Sequence, residues 1–285
     1  MTVPGFEKSW EQAVQWLREQ PDQREAVLAG YYDDPLAAAA NRYWLSEEWR
    51  QIRQFLPHTI AAKALDIGAG RGIASFALAK DGFEVTALEP DRSELVGAGA
   101  IRKLAREQHL RIQIRDEVAE HLPFADASFD LAFGRAVLHH TENVAKTCRE
   151  VYRVLTKGGT FIAVREHVIS RDQDLQKFFE LHALHRHYGG ERAFRLGYYT
   201  EAIRSAGFTL ERVLAPLRTP INFAPYSLSE LQHELARRAS FGIPALAAAW
   251  RGLLGTGFVW ATLVPMLGAI DRRPGRLYSF IARKP

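Results

Sequence analysis

Apolar positions along the chain follow two different periods. Residues 1 to about 57 show helical spacing only: Trp10, Val14 and Leu17 recur at intervals of four and three, and a second periodic run from Tyr43 to Phe55 stops at Pro57. From Ala61 onward short apolar runs alternate with helical stretches. The run Lys63–Ile67 precedes a helix over Ile73–Lys80, and Glu84–Leu88 precedes a helix over Arg92–Gln108. Next come Ile112–Ile114, Phe129–Phe133, a helix over Thr141–Leu155 and a run over Thr160–Val164. Such alternation predicts an α/β fold in which a doubly wound, mostly parallel sheet is covered by helices on both faces.

The remainder departs from that rhythm. A His-rich helical stretch, Arg171–Tyr188, ends at Gly189-Gly190 and reads as an insertion; a helix over Tyr198–Ala206 and a strand over Phe208–Leu214 follow. A helical region from Ser227 to Ile270, punctuated by Pro244 and Pro265, precedes a last strand near Arg276. The predicted organisation is an N-terminal helical lid (1–57), an α/β core (58–215, with a helical insertion at about 171–195) and a C-terminal helical cap with the last sheet strand (216–285). Gly252–Ile270 is uncharged and close to the roughly 20 residues a membrane helix needs. Gly255, Gly257, Pro265 and Gly268 interrupt it, however, and the strand after it must rejoin the sheet. We therefore expect a buried or lid helix pair and no membrane span.

Composition narrows the function classes. With 37 basic and 33 acidic residues the net charge is only +4, and no Lys/Arg block marks a nucleic-acid arm. The single cysteine, Cys148, allows no intramolecular disulfide and no multi-cysteine zinc site, and Glu7, Lys8 and Glu11 stand where a signal peptide would be apolar. A cytoplasmic location is the expectation.

Chemistry concentrates at Leu65-Asp66-Ile67-Gly68-Ala69-Gly70-Arg71-Gly72, which follows a predicted strand and opens a predicted helix. Glycines there let the backbone turn sharply and let a ligand approach the main chain. The second strand ends at Leu88-Glu89-Pro90, so a carboxylate able to accept both ribose hydroxyls of an adenosine falls where nucleotide folds need one. That spacing alone suits a nicotinamide enzyme as well. The loop decides: a dinucleotide fingerprint needs its third glycine at position 73, and Ile73 stands there. Asp66, two residues before the first glycine, suits a positively charged amino-acid group better than a pyrophosphate.

Three further motifs follow in order: Leu122-Pro123-Phe124-Ala125-Asp126-Ala127-Ser128-Phe129-Asp130, Leu138-His139-His140, and Arg153-Val154-Leu155-Thr156-Lys157-Gly158-Gly159. With the glycine loop, they make residues 40 to 215 resemble the class I methyltransferases dependent on S-adenosyl-L-methionine (SAM), in the methyltransferase type 11 / UbiE-like small-molecule group. The resemblance implies a Rossmann-like, seven-stranded sheet and SAM as cofactor. It implies that Asp66, Gly68, Ala69 and Gly70 line the methionine and ribose end, and that Glu89 and Pro90 meet the ribose. By the same resemblance Glu117, Val118 and Ala119 flank the adenine, and Gly134–Ala136, including Arg135, lie beneath the methionine moiety. Where the family usually carries an acid for the adenine amino group this chain has Val118, so either Glu117 takes that role or main chain does.

Methyl transfer is an in-line displacement, helped chiefly by positioning and by a base only where the acceptor must lose a proton. His140, after the fourth strand, and Glu166 and His167, after the fifth, are the catalytic candidates. His182 and His185, expected on one face of the inserted helix, and Tyr188 are substrate candidates, and no metal site is expected. The acceptor is expected to be a small molecule, because the D/N-P-P-Y/F motif of DNA amino-methylases is replaced by Phe133-Gly134-Arg135-Ala136 and Cys148 lacks a preceding proline. Trp250, Phe258 and Trp260 would suit a hydrophobic acceptor, or equally a cover over the sheet or a homodimer contact. A SAM-binding homologue without methyl transfer is the alternative that Val118 leaves open.

Overall fold

The computed structural model describes residues 6–59, 61–182 and 184–285. After helices Trp10–Glu19 (α1) and Arg24–Ala29 (α2), strands Lys63–Ile67 (β1), Glu84–Leu88 (β2), Ile112–Arg115 (β3), Phe129–Arg135 (β4), Leu155–Ile169 (β5), Phe194–Arg195 (β6), Thr209–Leu214 (β7) and Arg276–Arg283 (β8) form one sheet. Its path is β3-β2-β1-β4-β5-β8-β7, with the two-residue β6 pairing beside β5. β8 runs antiparallel to β5 and β7, and the other pairs are parallel. The expected seven-stranded, mostly parallel sheet is present, with β6 as an addition.

Alternation along the strands shows why both faces carry helices. On β4, Leu131 and Phe133 pack with Ala39 and Tyr43 of Leu36–Trp44 (α3), Trp49 of Glu47–Ile52 (α4) and Phe76 of Ile73–Lys80 (α5). Ala132 faces the opposite way, towards Val151 of helix Val144–Val154 and Tyr199 of helix Leu196–Ser205. Each large side chain buried this way contributes about 1.5–3 kcal/mol. Asp81, at the end of α5, then fastens the N-terminal helices to the core. It accepts the indole N–H groups of Trp44 (2.7 Å) and Trp49 (2.8 Å) and an N–H of Arg53 (2.7 Å), which satisfies donors that burial would otherwise orphan.

Several boundaries differ from the periodicity. The run Tyr43–Phe55 is not one helix: Ser46 accepts the Trp49 N–H and starts α4 anew. The helix expected from Arg92 begins at Ala98, because Ser93 Oγ accepts the N–H groups of Leu95 and Val96 and holds a turn there. The inserted stretch is two helices, Asp174–Leu181 and His185–Tyr188, so His182 ends the first and His185 starts the second instead of sharing one face.

The C-terminal helices also differ from expectation. Helices Pro244–Leu254 and Gly257–Ile270 meet at a 100° bend, and no single helix among the described residues is long and apolar enough to cross a membrane. They are not buried: Leu254 and Val264 are covered, while Phe258, Met266 and Ile270 stand in solvent.

Candidate functional site

A cavity of about 970 Å³ opens at the carboxyl ends of β1, β2, β4 and β5, where open α/β sheets bind ligands. Asp66, Gly68, Ala69, Gly70, Glu89 and Pro90 line one end; His139, His140, His167 and Glu191 line the other. Trp10, Tyr31 and Tyr32 from the N-terminal segment roof it. No residue from 192 to 276 lines it, so Trp250, Phe258 and Trp260 do not contribute to its walls.

Backbone geometry explains the glycines. Gly68 and Gly70 have φ of +60° and +54°, a region that disfavours any Cβ. The space above Gly68 belongs to Val137 Cγ2, 2.3 Å from where a Cβ would sit, and Val137 Cγ1 lies 2.5 Å from the corresponding point on Gly134. One valine thus packs on the turns after β1 and β4 together. Gly70 faces open space, with nothing nearer than the Val96 carbonyl at 3.9 Å.

Among the described residues, two carboxyls in this half have no cationic partner. Glu89 accepts the N–H groups of Gly70 (2.7 Å) and Asp91 (2.9 Å), and Asp66 accepts the Ser75 hydroxyl (2.5 Å). Burial nevertheless pushes both up to about 7. A ligand that brings an ammonium or hydroxyl donors would relieve that cost, and the open space at Gly70 suits close approach. These features fit SAM, which has both groups and no phosphate.

At the adenine strip, Glu117, Val118 and Ala119 all line the cavity. Asp116 is drawn away by Arg102 (2.7 Å) and Arg92 (3.2 Å), so of the two acids before Val118 only Glu117 stays at the cavity. Arg135 lines the cavity too, but its guanidinium is already held. It donates to both carboxylate oxygens of the buried Glu48, at 2.8 and 3.1 Å, and lies over the Tyr31 and Tyr43 rings. Arg165, 3.9 Å from Glu48, donates to the carbonyls of Ile221 and Ala224. This charge cluster could not be found by spacing, because Glu48 and Arg135 are 87 residues apart.

The roof is fixed by Arg71, whose guanidinium leaves the glycine turn to donate to the carbonyls of Tyr31 (2.8 Å) and Asp33 (3.1 Å) and to the Asp34 carboxylate (2.6 Å). Arg18 pairs with the same carboxylate.

The histidine end is more ordered than the sequence suggested. β5 does not stop at Val164; a bulge with Arg165 at φ +63° carries it on to Ile169, so Glu166 and His167 lie within the strand and pair with Tyr278 and Leu277. Glu166 is fully buried and absent from the cavity wall. It accepts the N–H groups of Val137, Leu138 and His139, each at 3.1 Å, and His139 Nδ1–H at 2.6 Å. The sequence candidate is therefore an orienting group with its oxygens committed. His140 does reach the cavity, its Nδ1 3.3 Å from the Gly190 carbonyl; His167 Nδ1 stands 2.9 Å from the Gly275 carbonyl.

Glu191 organises these rings. Tyr188 donates its hydroxyl to Glu191 Oε1 at 2.6 Å, and His182 Nε2 is 3.9 Å from the same oxygen. Oε2 faces His139 Nε2 at 3.6 Å and His140 Nε2 at 3.7 Å. Burial opposes the charge of Glu191, yet His140, His139 and His182 outweigh it and hold the carboxyl well below its usual range. Burial likewise opposes charge on His139, but Glu166 and Glu191 raise it to about 9. His185 stacks on Phe179 at 3.9 Å and does not line the cavity. The weight of Glu191 was invisible in sequence, since it sits in an aperiodic loop after Gly189-Gly190.

Comparison with known proteins agrees with this geometry. A family described as "Methyltransferase domain" matches residues 65–163. The uncharacterized methyltransferase YcgJ of Bacillus subtilis is 34% identical over 116 residues, which cover 41% of this chain and 45% of the relative. Its solved structure aligns with a TM-score of 0.54 at 20% identity, covering 84% of this chain and 97% of that one. The ubiquinone/menaquinone biosynthesis C-methyltransferase UbiE of Rickettsia prowazekii is 27% identical over 195 residues, covering 63% of this chain and 73% of the relative. The solved structure of the [4+2]-cyclase SpnF aligns with a TM-score of 0.57 at 20% identity over 100% of this chain and 99% of that one. The chain spans less than half the length of the first curated relatives it matches. At these identities the structural likeness shows the fold.

Proposed function

We propose, from the premise that residues 65–163 form a methyltransferase domain, that this chain is a SAM-dependent methyltransferase acting on a small-molecule acceptor within a reducing, cytoplasmic compartment. SAM, the cofactor that the domain and the relatives named for it imply, supplies a methyl group on a sulfonium. The observation that carries the reading is the pair of uncompensated carboxyls, Asp66 and Glu89, flanking the open face of Gly70. Asp66 receives the ammonium end, Glu89 the ribose hydroxyls, and Glu117, Val118 and Ala119 border the adenine. The backbone of Gly134–Ala136 supports the methionine portion, while the Arg135 side chain stays with Glu48.

The acceptor occupies the other end, beside His140 and His167. At about 970 Å³ the cavity reaches the top of the roughly 300–1,000 Å³ typical of small-molecule sites, room for cofactor and acceptor together. The roof of Trp10, Tyr31 and Tyr32 excludes water and favours an acceptor with apolar or aromatic surface.

Calorimetry with SAM, S-adenosylhomocysteine and NADH, on the wild type and on a Gly70→Ala/Glu89→Ala variant, tests the cofactor site. Binding of both adenosyl ligands that the variant loses supports it; NADH binding alone would refute it. Labelled methyl groups from SAM should then appear in small molecules when the enzyme is given a cell extract, and not in its nucleic acid or protein fractions. A second reading, cofactor binding without methyl transfer, is favoured by one fact: a structural neighbour that aligns over the whole chain is named a cyclase. Adenosyl binding with no labelled product would select it.

A further inference from the structure

Around Glu191 the cavity holds a cluster of side chains of which the methyl-transfer reading uses only His167. His139, His167 and Glu191 each offer a ligand atom, all within 4.8 Å of one another. Among the described residues Glu191 Oε2 is buried and has no hydrogen-bond partner, its neighbouring His139 and His140 Nε2 atoms standing at 3.6 and 3.7 Å, although Oε1 is fixed by Tyr188. A buried carboxylate oxygen that makes no hydrogen bond is costly until a closer donor or a metal cation completes it.

The tautomers follow from the partners. The Glu166 carboxylate only accepts, so His139 Nδ1 donates to it, and His167 Nδ1 donates to the Gly275 carbonyl. The Nε2 atom of each ring is thereby turned into the cavity as the remaining nitrogen. Metal-bound histidines are held in this way, with the second ring N–H fixed by a carboxylate or a main-chain carbonyl. His182 is the opposite case: its Nδ1 accepts the His185 N–H, so its Nε2 carries the proton that faces Glu191 Oε1. It steadies Glu191 and is excluded as a ligand.

We infer that His139 Nε2, His167 Nε2 and Glu191 Oε2 form a binding site for one divalent first-row transition ion such as Zn²⁺, Fe²⁺, Mn²⁺ or Co²⁺. Two imidazoles and one carboxylate are the donors such ions prefer, whereas Mg²⁺ and Ca²⁺ want oxygen alone. Ligand bonds of about 2.0–2.2 Å need the three atoms drawn closer together than the 4.8 Å within which they now lie. Three protein ligands leave coordination positions directed into the cavity. Resting on the methyl-transfer reading, the role of the ion is to bind an oxygen of the acceptor and to favour its deprotonated form. The acceptor class becomes one with a phenol, enol or similar hydroxyl.

The full chain, stripped with chelator, loaded with Co²⁺ and desalted, should retain about one ion and show visible d–d absorption. Glu191→Gln and His167→Gln should each abolish retention. Glu166→Gln should weaken affinity about 10–100-fold, as loss of an outer-shell partner does, and His185→Gln should change nothing. S-adenosylhomocysteine affinity, measured on every variant, reports folding and the cofactor site separately. Loss of Co²⁺ from a wild type that still binds the nucleoside overturns the metal site, as does retention unaffected by Glu191→Gln and His167→Gln. Retention by a wild type that fails to bind the nucleoside would uphold the metal site and remove the methyl-transfer reading instead.

Discussion

Val137 stands in the space that a side chain on Gly68 would need, its Cγ2 2.3 Å from the position of a Cβ there. The contact locks the turn after β1 to the turn after β4. Gly68→Ala should therefore combine the cost of a positive φ, about 1–2 kcal/mol, with an overpacking cost of about 1–3 kcal/mol. Gly70→Ala meets no close atom and should lose only the first of these, about 1–2 kcal/mol. Denaturant midpoints should rank the two in that order. Adding Val137→Ala should recover stability in the Gly68 variant and not in the Gly70 variant. Equal losses in both backgrounds would show that the packing does not couple the turns.

Asp66 and Glu89 predict a pH dependence whose sign is set by their upward shifts to about 7. Ser75 and Glu89 face Asp66; Gly70, Asp91 and Asp116 act on Glu89. Each folded pKa lies above the unfolded one, so the native state holds protons more tightly. Their contribution to the stability of the unliganded protein should then be fully present below about pH 4, fall as pH rises towards 7, and level off above it. Affinity for S-adenosylhomocysteine should move the other way, rising by at most about tenfold per pH unit for each group that must ionise. Calorimetry across pH 5–9 in two buffers of different ionisation enthalpy would reveal the released protons. Asp66→Asn should flatten much of the slope, and affinity that falls with pH would contradict the assignment.

Glu48 carries a different prediction. It lies buried against Arg135 and near Arg165, so Glu48→Gln leaves two largely covered guanidinium groups without their anion. Breaking a buried pair on one side costs about 3–5 kcal/mol, and the loss should show in the urea midpoint at unchanged m-value. The double change Glu48→Leu/Arg135→Met should be milder than Glu48→Gln alone. A midpoint within about 0.5 kcal/mol of wild type for Glu48→Gln, the range of ordinary surface changes, would mean that water already reaches this cluster.

What could be read from the chain follows the range of the forces involved. β1, α5 and β2 have the limits that local periodicity gives, Lys63–Ile67, Ile73–Lys80 and Glu84–Leu88, because apolar strands and tight turns are set by neighbours in sequence. The end of β5 was not legible: its last residues pair with β8, more than 100 positions later, and Arg165 breaks the alternation with a bulge. For the same reason local spacing places Glu166 after the strand, whereas a long-range pairing buries it behind His139. The meeting of His139, His167 and Glu191 depends on three separate segments, and only the first two carried a motif or a strand to announce them.

Arg71 links the cofactor turn to the roof, and its removal should separate binding from folding. Its guanidinium is buried and donates to the carbonyls of Tyr31 and Asp33 and to Asp34, so it holds the segment between Arg24–Ala29 and α3 over the cavity. Arg71→Met keeps much of the apolar stem and deletes these bonds, each worth about 1.5–3 kcal/mol when a charged group takes part. The sheet should stay intact, because Asp81 independently clamps Trp44, Trp49 and Arg53 to α5. Limited proteolysis should therefore cut the variant faster between residues 20 and 35, with the remaining core resistant. Affinity for S-adenosylhomocysteine should drop about tenfold or more, since loss of even one such bond corresponds to that factor. Adding the nucleoside should slow cleavage of the wild type at the same place. Cleavage that neither the substitution nor the ligand alters would show that the roof is held by packing of Trp10, Tyr31 and Tyr32 alone, and Arg71 would lose its linking role.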